Sequence, residues 1–164
     1  MNKKTLALLG LTILLGISFR LRHIEFGLPH SFYADEPEIS ELAIKYTYEI
    51  KSIISNNNWY QLIPINYVYG TFPTYFLTVL LAVFSKMLNL FSINFDKTTL
   101  FVFLRVCNTL FSALIIPMGA LLYNELFEKN SSKKTGTIIT GFLLALNWKL
   151  IVHAHYVNAD IFLT

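Results

Sequence analysis

Two adjacent carboxylates, Asp35 and Glu36, stand at the start of a helical pattern, just beyond an apolar stretch that resembles a membrane span. A carboxylate that loses part of its water at a membrane boundary, close to a second carboxylate, can serve as a general base. Helix capping accounts for one acid at such a position and does not need two. We therefore predict that Asp35 is a base and that Glu36 orients it or an acceptor hydroxyl.

A second group of candidate residues lies at the other end of the chain, in the stretch HAHYVNAD. Asp160 is predicted to hold an acceptor or a cation. His153 and His155 are two positions apart, so on a helix they point to different faces, and only an extended segment lets both bind one metal ion with Asp160. The alternative is a divalent cation that the carboxylate oxygens of Asp35 and Asp160 bind, although the spacing does not require any cofactor.

Arg105 is the one charge in an apolar stretch of 24 residues, from 100 to 123. A permanent cation near the end of a membrane helix suits the phosphate of a bound ligand. The alternative is an arginine whose head simply reaches the membrane surface. The first interpretation predicts that Arg105 binds a donor phosphate.

The composition indicates which elements position these residues. The chain has 164 residues, of which 54% are hydrophobic and 15% aromatic, well above the apolar share of a soluble domain. In such a chain a net charge of +3 indicates orientation in a membrane and not nucleic-acid binding. The single cysteine, Cys107, lies in an apolar stretch and offers no disulfide or thiolate metal site.

Charge asymmetry then decides how the apolar windows are arranged. Lys3 and Lys4 mark the amino terminus as cytoplasmic, and Lys129, Lys133 and Lys134 mark the loop near residue 130 as cytoplasmic too. An even number of crossings must join them, so the ambiguous window 71–91 should lie in the outer interface or dip in and return. The alternative is that 71–91 is an ordinary membrane-spanning helix.

The sequence thus predicts an all-α integral membrane protein with three transmembrane helices and amphipathic juxtamembrane helices in a long first external loop. We expect a single membrane domain over residues 1–164. Its predicted parts are a first span at 4–24, an external loop at 25–99 with amphipathic helices near 37–55 and 71–91, a second span at 100–123, a cytoplasmic loop at 124–135, a third span at 136–155 and an external motif at 156–164. Arg20 and Arg22 are expected to extend the short first span by reaching the far interface. This topology puts Asp35 and Asp160 on the same side.

The order of four motifs, LPHSFYADEPEI, YGTFPTYF, FLRVCNTLFSALIIPMGALLY and HAHYVNAD, resembles that of the C-type glycosyltransferases. The chain looks most like their branch of protein O-mannosyltransferases and lipid A aminoarabinose transferases. The resemblance implies transfer of a hexose or pentose from a polyprenyl-phosphate donor to a protein, lipid or glycan acceptor, on the outer or lumenal side. Asp35 would match the acid that acts on the acceptor, Glu36 its neighbour, Asp160 the second external acid and Arg105 the arginine near the donor phosphate.

Two further expectations follow from this resemblance. Family members carry many more spans, so we expect this chain to be a fragment or part of a split enzyme, inactive alone. In a prokaryote it would be a multi-pass plasma-membrane protein with its active site facing outside, and with no nucleic-acid partner.

The competing hypotheses are a transporter or proton-coupled membrane subunit, which also uses acids and histidines in the membrane, and a non-catalytic assembly subunit.

Overall fold

The structure is a computed structural model that describes residues 3–30, 33–63, 71–90, 96–127, 133–158 and 161. Every regular element in these ranges is helical, which confirms the predicted all-α class. The elements are α1 (Lys3–Leu21), α2 (Asp35–Ser55), a 3₁₀ helix (Trp59–Leu62), α3 (Phe72–Leu90), α4 (Lys97–Ala113), α5 (Ile115–Leu126), α6 (Lys133–Ala145) and α7 (Trp148–Ala154).

Two helical units in the described ranges are long and apolar enough to cross a membrane: α1, and the stretch Lys97–Leu126 that joins α4 to α5. The helices α6 and α7 qualify together as a third unit, which is bent by 49°. The count of two or three spans is consistent with a helical membrane protein. Pro117 marks the junction of α4 and α5, because it has no amide hydrogen to donate to the carbonyl of Ala113, four residues earlier.

Small residues let the apolar helices approach one another closely. A side chain at Gly16 of α1 would meet Ile116 of α5 and Ala145 of α6, and one at Gly119 would meet Leu144. Close approach of backbones at glycines is a common way for membrane helices to gain packing contacts. The contacts therefore indicate that α1, α5 and α6 form one tightly packed group.

We expect Gly16→Ala to lower the free energy of unfolding by about 1–3 kcal/mol, because the added methyl group overpacks the helix junction. Its Cβ would lie 3.2 Å from both the Ala145 Cβ and an Arg20 nitrogen, in addition to meeting Ile116. Gly10→Ala is the matched control on the same helix, since nothing lies within 4 Å of a Cβ at that position. Thermal unfolding in detergent would test this prediction, and equal melting temperatures for the two variants would contradict it.

Arg20, which the sequence predicts at the far membrane interface, is fully buried by the protein itself among α1, α4 and α6. Its Nη1 donates to the carbonyls of Gly16 (3.0 Å) and Ala145 (3.1 Å), and its Nη2 donates to that of Leu144 (3.1 Å). Its Nε lies 3.3 Å from the Ser112 hydroxyl. Because the last carbonyls of a helix lack partners within the helix, Arg20 satisfies two of them at the end of α6.

Asp96 is the N-cap residue of α4, and its Oδ1 accepts hydrogen bonds from the Thr99 hydroxyl (2.6 Å) and the Thr99 amide (2.9 Å). These bonds hold the pKa of Asp96 below its ordinary value of 3.8. Because the folded state binds this proton less tightly than the unfolded chain, the stabilisation is complete above the ordinary pKa and is lost as the pH falls through the folded pKa.

Acid should therefore lower the melting temperature of the wild-type protein more than that of Asp96→Asn. The asparagine keeps an oxygen acceptor at the cap and cannot titrate. Melting curves recorded from about pH 5 down to about pH 2 would measure the difference. Parallel pH profiles for the two proteins would show that this cap contributes nothing to acid sensitivity.

Candidate active site

A buried ion pair between Glu36 and Arg105 is the centre of the candidate site. The Arg105 Nε lies 2.6 Å from one carboxylate oxygen of Glu36, and its Nη2 lies 2.8 Å from the other. Both residues have no solvent exposure. This two-pronged geometry is the strongest arrangement for an arginine and a carboxylate, and it offsets the large cost of removing both charges from water.

Arg105 also fixes the turn that follows α1. Its Nη1 donates to the carbonyls of Ile24 (2.7 Å) and Phe26 (2.8 Å). Its guanidinium carbon lies 5.2 Å from the centre of the Tyr156 ring, within the range of a cation–π contact. One side chain on α4 thus contacts the turn after α1, the start of α2 and the segment after α7.

Glu36 reaches the same carboxy-terminal segment, because its Oε1 lies 3.3 Å from the amide nitrogen of Val157. Val157 in turn belongs to the apolar core that α2, α3 and α4 share. The start of α2 and the segment after α7 are therefore in direct contact. This contact brings the first predicted acidic motif next to the stretch HAHYVNAD.

Asp35 is the first residue of α2 and is half-buried, one position before Glu36. The N-cap position belongs to Ala34, whose side chain makes no cap hydrogen bond. The first turn of α2 also carries Glu38, so three acids lie at the positive end of the helix dipole. The pairing of Glu36 with Arg105 is a separate interaction that capping does not explain.

The two histidines have different surroundings. The Nδ1 of His153 lies 2.7 Å from the side-chain nitrogen of Asn158, which lies 2.9 Å from the Tyr33 hydroxyl. The ring nitrogens of His155 lie 2.8 Å from the Ile151 carbonyl and 2.7 Å from the Arg22 carbonyl. His155 therefore attaches the end of α7 to the chain just after α1, while His153 faces the polar group next to Tyr33.

Asp160 lies outside the described residues, so its predicted role with an acceptor or a cation stays a prediction. Within the described ranges no group of three or more histidine, cysteine, aspartate or glutamate side chains is arranged to hold a metal ion. The predicted metal ligands, Asp35 and Asp160, include this residue outside the described ranges. Binding of a cation by these two carboxylates therefore stays a prediction.

Sequence reasoning missed the aromatic and amide residues that complete the site. Tyr33 stacks on Tyr156 with ring centres 5.2 Å apart, and Tyr156 lies between Tyr33 and Arg105. Asn108, one turn after Arg105, donates to the Tyr156 carbonyl at 2.6 Å. The available signal was position, since Tyr33 and Tyr156 lie inside the two quoted motifs, within three residues of Asp35 and His153.

The level of the site relative to the long helix follows from helix geometry. A rise of about 1.5 Å per residue means that about 20 residues cross the roughly 30 Å hydrocarbon layer. A stretch of 20 residues that ends at Leu126, the exposed last residue of α5, begins at Cys107. A span placed over these 20 residues would leave Arg105 and its partner Glu36 just outside the hydrocarbon layer, and their level in a membrane stays a prediction.

An apolar cavity of about 730 Å³ lies along α4 and α5, on the Leu126 side of the ion pair. Its described walls include Phe111, Leu114, Met118, Leu122, Leu150 and Ile161. A volume of this size is typical of sites for small ligands. Because Ser112 and Glu125 are the polar residues of an otherwise apolar described lining, the cavity suits an aliphatic chain better than a polar molecule.

Comparison with known proteins identifies no relative: no family model, no curated protein and no solved structure matches this chain significantly. The similarity to C-type glycosyltransferases therefore rests on the order of the four sequence motifs alone.

Proposed function

We propose that this chain carries the acidic part of the active site of a membrane glycosyltransferase that uses a polyprenyl-phosphate sugar donor. The observation that supports the proposal best is the contact of Glu36 with both Arg105 and Val157. It joins the Asp35–Glu36 motif to the end of α7 at the expected membrane boundary. A lipid-linked donor and a polar acceptor can meet only at such a boundary.

Asp35 is the general base in this proposal. An acceptor hydroxyl oxygen attacks the anomeric carbon of the sugar, its proton passes to Asp35, and the bond from that carbon to the donor phosphate oxygen breaks. The polyprenyl phosphate leaves with the bonding electron pair. Because both carboxylate oxygens of Glu36 accept hydrogen bonds from Arg105, Glu36 acts as a positioning residue that fixes the start of α2.

The hydrogen bonds of Arg105 compete with its predicted role as a ligand of the donor phosphate. The predicted contact with the donor phosphate would use donors that now bind Glu36 and the carbonyls of Ile24 and Phe26. We assign Arg105 mainly to holding Glu36 and the carbonyls of Ile24 and Phe26 together. Only a guanidinium N–H group that binds none of these three is then available to a phosphate. The leaving phosphate would then depend on a further cation, for which a metal ion between Asp35 and Asp160 is one option.

The apolar cavity along α4 and α5 supports a lipid-linked donor. Its wall runs from Phe111 towards Glu125, which corresponds to about 20 Å along the helix. A prenyl chain placed there has its phosphate end towards Arg105, beyond Phe111. The proposal thus gives separate places to the tail of the donor and to the reacting sugar.

Transfer of a radiolabelled sugar in native membranes tests this function. Membranes from cells with and without the gene would receive a polyprenyl-phosphate donor carrying the labelled sugar. We expect label in an acceptor only where the gene is present. Equal labelling in both membranes would reject the proposal, and gene-dependent proton or solute uptake without labelling would favour the transporter hypothesis.

A further inference from the structure

The helix α3 contacts α4 at two levels through stacked aromatic rings. Phe84 stacks on Phe103 with ring centres 3.8 Å apart, and Phe76 lies against Phe111 with ring centres 5.5 Å apart. The two contacts are eight residues apart on both helices and in opposite order, so α3 runs antiparallel beside α4. Eight residues correspond to about 12 Å along the axis.

This packing determines how α3 is inclined to a membrane that the long helix crosses. A helix lying flat on the membrane surface would cross α4 at one level only. Leu77 and Leu81 of α3, which lie between these two ring contacts, belong to the same apolar core as Leu100 and Leu104 of α4. The amino-terminal end of α3 therefore lies deeper than its carboxy-terminal end.

The opposite side of α3 is an exposed apolar stripe, which we call the outer face of α3. Its members are Phe72, Val79, Val83 and Met87, and Tyr75 lies at its edge next to α2. Val79 is 63% exposed and Val83 is 56% exposed. A stripe of this length on a packed helix costs free energy in water and is typical of a surface that meets another apolar phase.

The neighbouring helix α2 has a more polar outward surface. It packs on α3 through the Tyr46 and Tyr75 rings, 6.1 Å apart, and it exposes Glu41, Lys45 and Lys51 in addition to Tyr48 and Ile54. The charged side chains favour water on this side, while α3 exposes no charged residue between Phe72 and Ser85. Water suits α2, whereas the outer face of α3 requires an apolar neighbour.

We infer that the outer face of α3 lies among the lipid chains of the leaflet nearest the Glu36–Arg105 pair, and that α3 enters this leaflet with its amino-terminal end first. The occupant is the acyl layer itself, because the stripe continues the apolar exterior of the long helix: Phe76 contacts Phe111, and Leu110 and Leu114 beside it are exposed. Lys86, exposed near the other end of α3, reaches the headgroups. The inference does not depend on sugar transfer.

Spin labels at exposed positions test the inference. Single cysteines would replace Val79, Val83 and Met87 in a Cys107→Ala chain, with Lys45 of α2 as the matched control. The whole protein would be reconstituted in vesicles of equal parts phosphatidylcholine and phosphatidylglycerol. Accessibility to oxygen and to a water-soluble nickel chelate gives the depth of each label.

We expect Val79 to be the deepest label, Val83 intermediate and Met87 the shallowest, with about 12 Å between the first and the last if α3 is upright. The label at Lys45 should be open to the nickel chelate. Equal depths for Val79 and Met87 would show a flat helix and overturn the inference. So would nickel access at Val79, or spin–spin broadening there that reveals a second copy covering the stripe.

Discussion

Arg105→Met is expected to lower the free energy of unfolding by ~3–5 kcal/mol, because it leaves the Glu36 carboxylate buried without its partner. The carboxylate has no solvent exposure and would lose both of its hydrogen bonds from the guanidinium, at 2.6 and 2.8 Å, while the longer contact with the Val157 amide at 3.3 Å would remain. The carbonyls of Ile24 and Phe26 would lose their donor as well. Denaturation by sodium dodecyl sulfate in mixed micelles, followed by circular dichroism, measures the loss.

Two comparisons separate this effect from a general loss of charge. Lys97→Met removes the cation of the exposed Lys97–Glu41 pair, which joins the same two helices, and should change stability by less than about 1 kcal/mol. The double variant Glu36→Gln/Arg105→Met should recover part of the loss, since no buried charge is left unpaired. A double variant no more stable than Arg105→Met would contradict the ion-pair account.

Asp35→Asn is expected to reduce sugar transfer at least about 100-fold, the usual minimum contribution of a positioned general base. The amide has nearly the same shape as the carboxylate but cannot take the proton of the acceptor hydroxyl. Transfer of labelled sugar in membranes carrying the variant at the native gene measures the effect. Protein content and melting temperature should stay close to wild type, because Asp35 is only half-buried.

The matched control is Glu41→Gln on the same helix, an exposed acid paired only at the surface with Lys97. It should keep close to full transfer activity. Asp35→Glu should restore part of the activity, because the base is retained with a longer side chain. Full turnover in Asp35→Asn would remove Asp35 from the proposed chemistry, even if the chain proved to be a transferase.

The helices were predictable where local patterns carry the information. The expected helix at 37–55 is α2 of the structure, which begins two residues earlier, at Asp35. The sequence also predicted an apolar segment at 136–155, but not its bend. Asn147 accepts from the Leu150 amide and starts α7, a cap signal hidden in a run of apolar residues.

The site was predictable only in part, because its main contact is not local. Glu36 and Arg105 are 69 positions apart, and each was assigned a separate role from its own surroundings. The helix dipole favours acids in the first turn of α2, but it does not reveal which acid meets the arginine. That choice depends on how α2 packs against α4, through Ile39, Ala43 and Leu104 in the shared core.

Arg20 has a consequence for the order in which the protein can be assembled. Its side-chain partner, Ser112, comes 92 residues later in the chain, and the Ala145 carbonyl comes 125 residues later. A ribosome that delivers the helices one at a time leaves this guanidinium without them until α6 has been made. The bonds of Arg20 to the Leu144 and Ala145 carbonyls can form only once α6 has been made, so the burial of this charge between α1 and α6 is a late step in the folding of the chain.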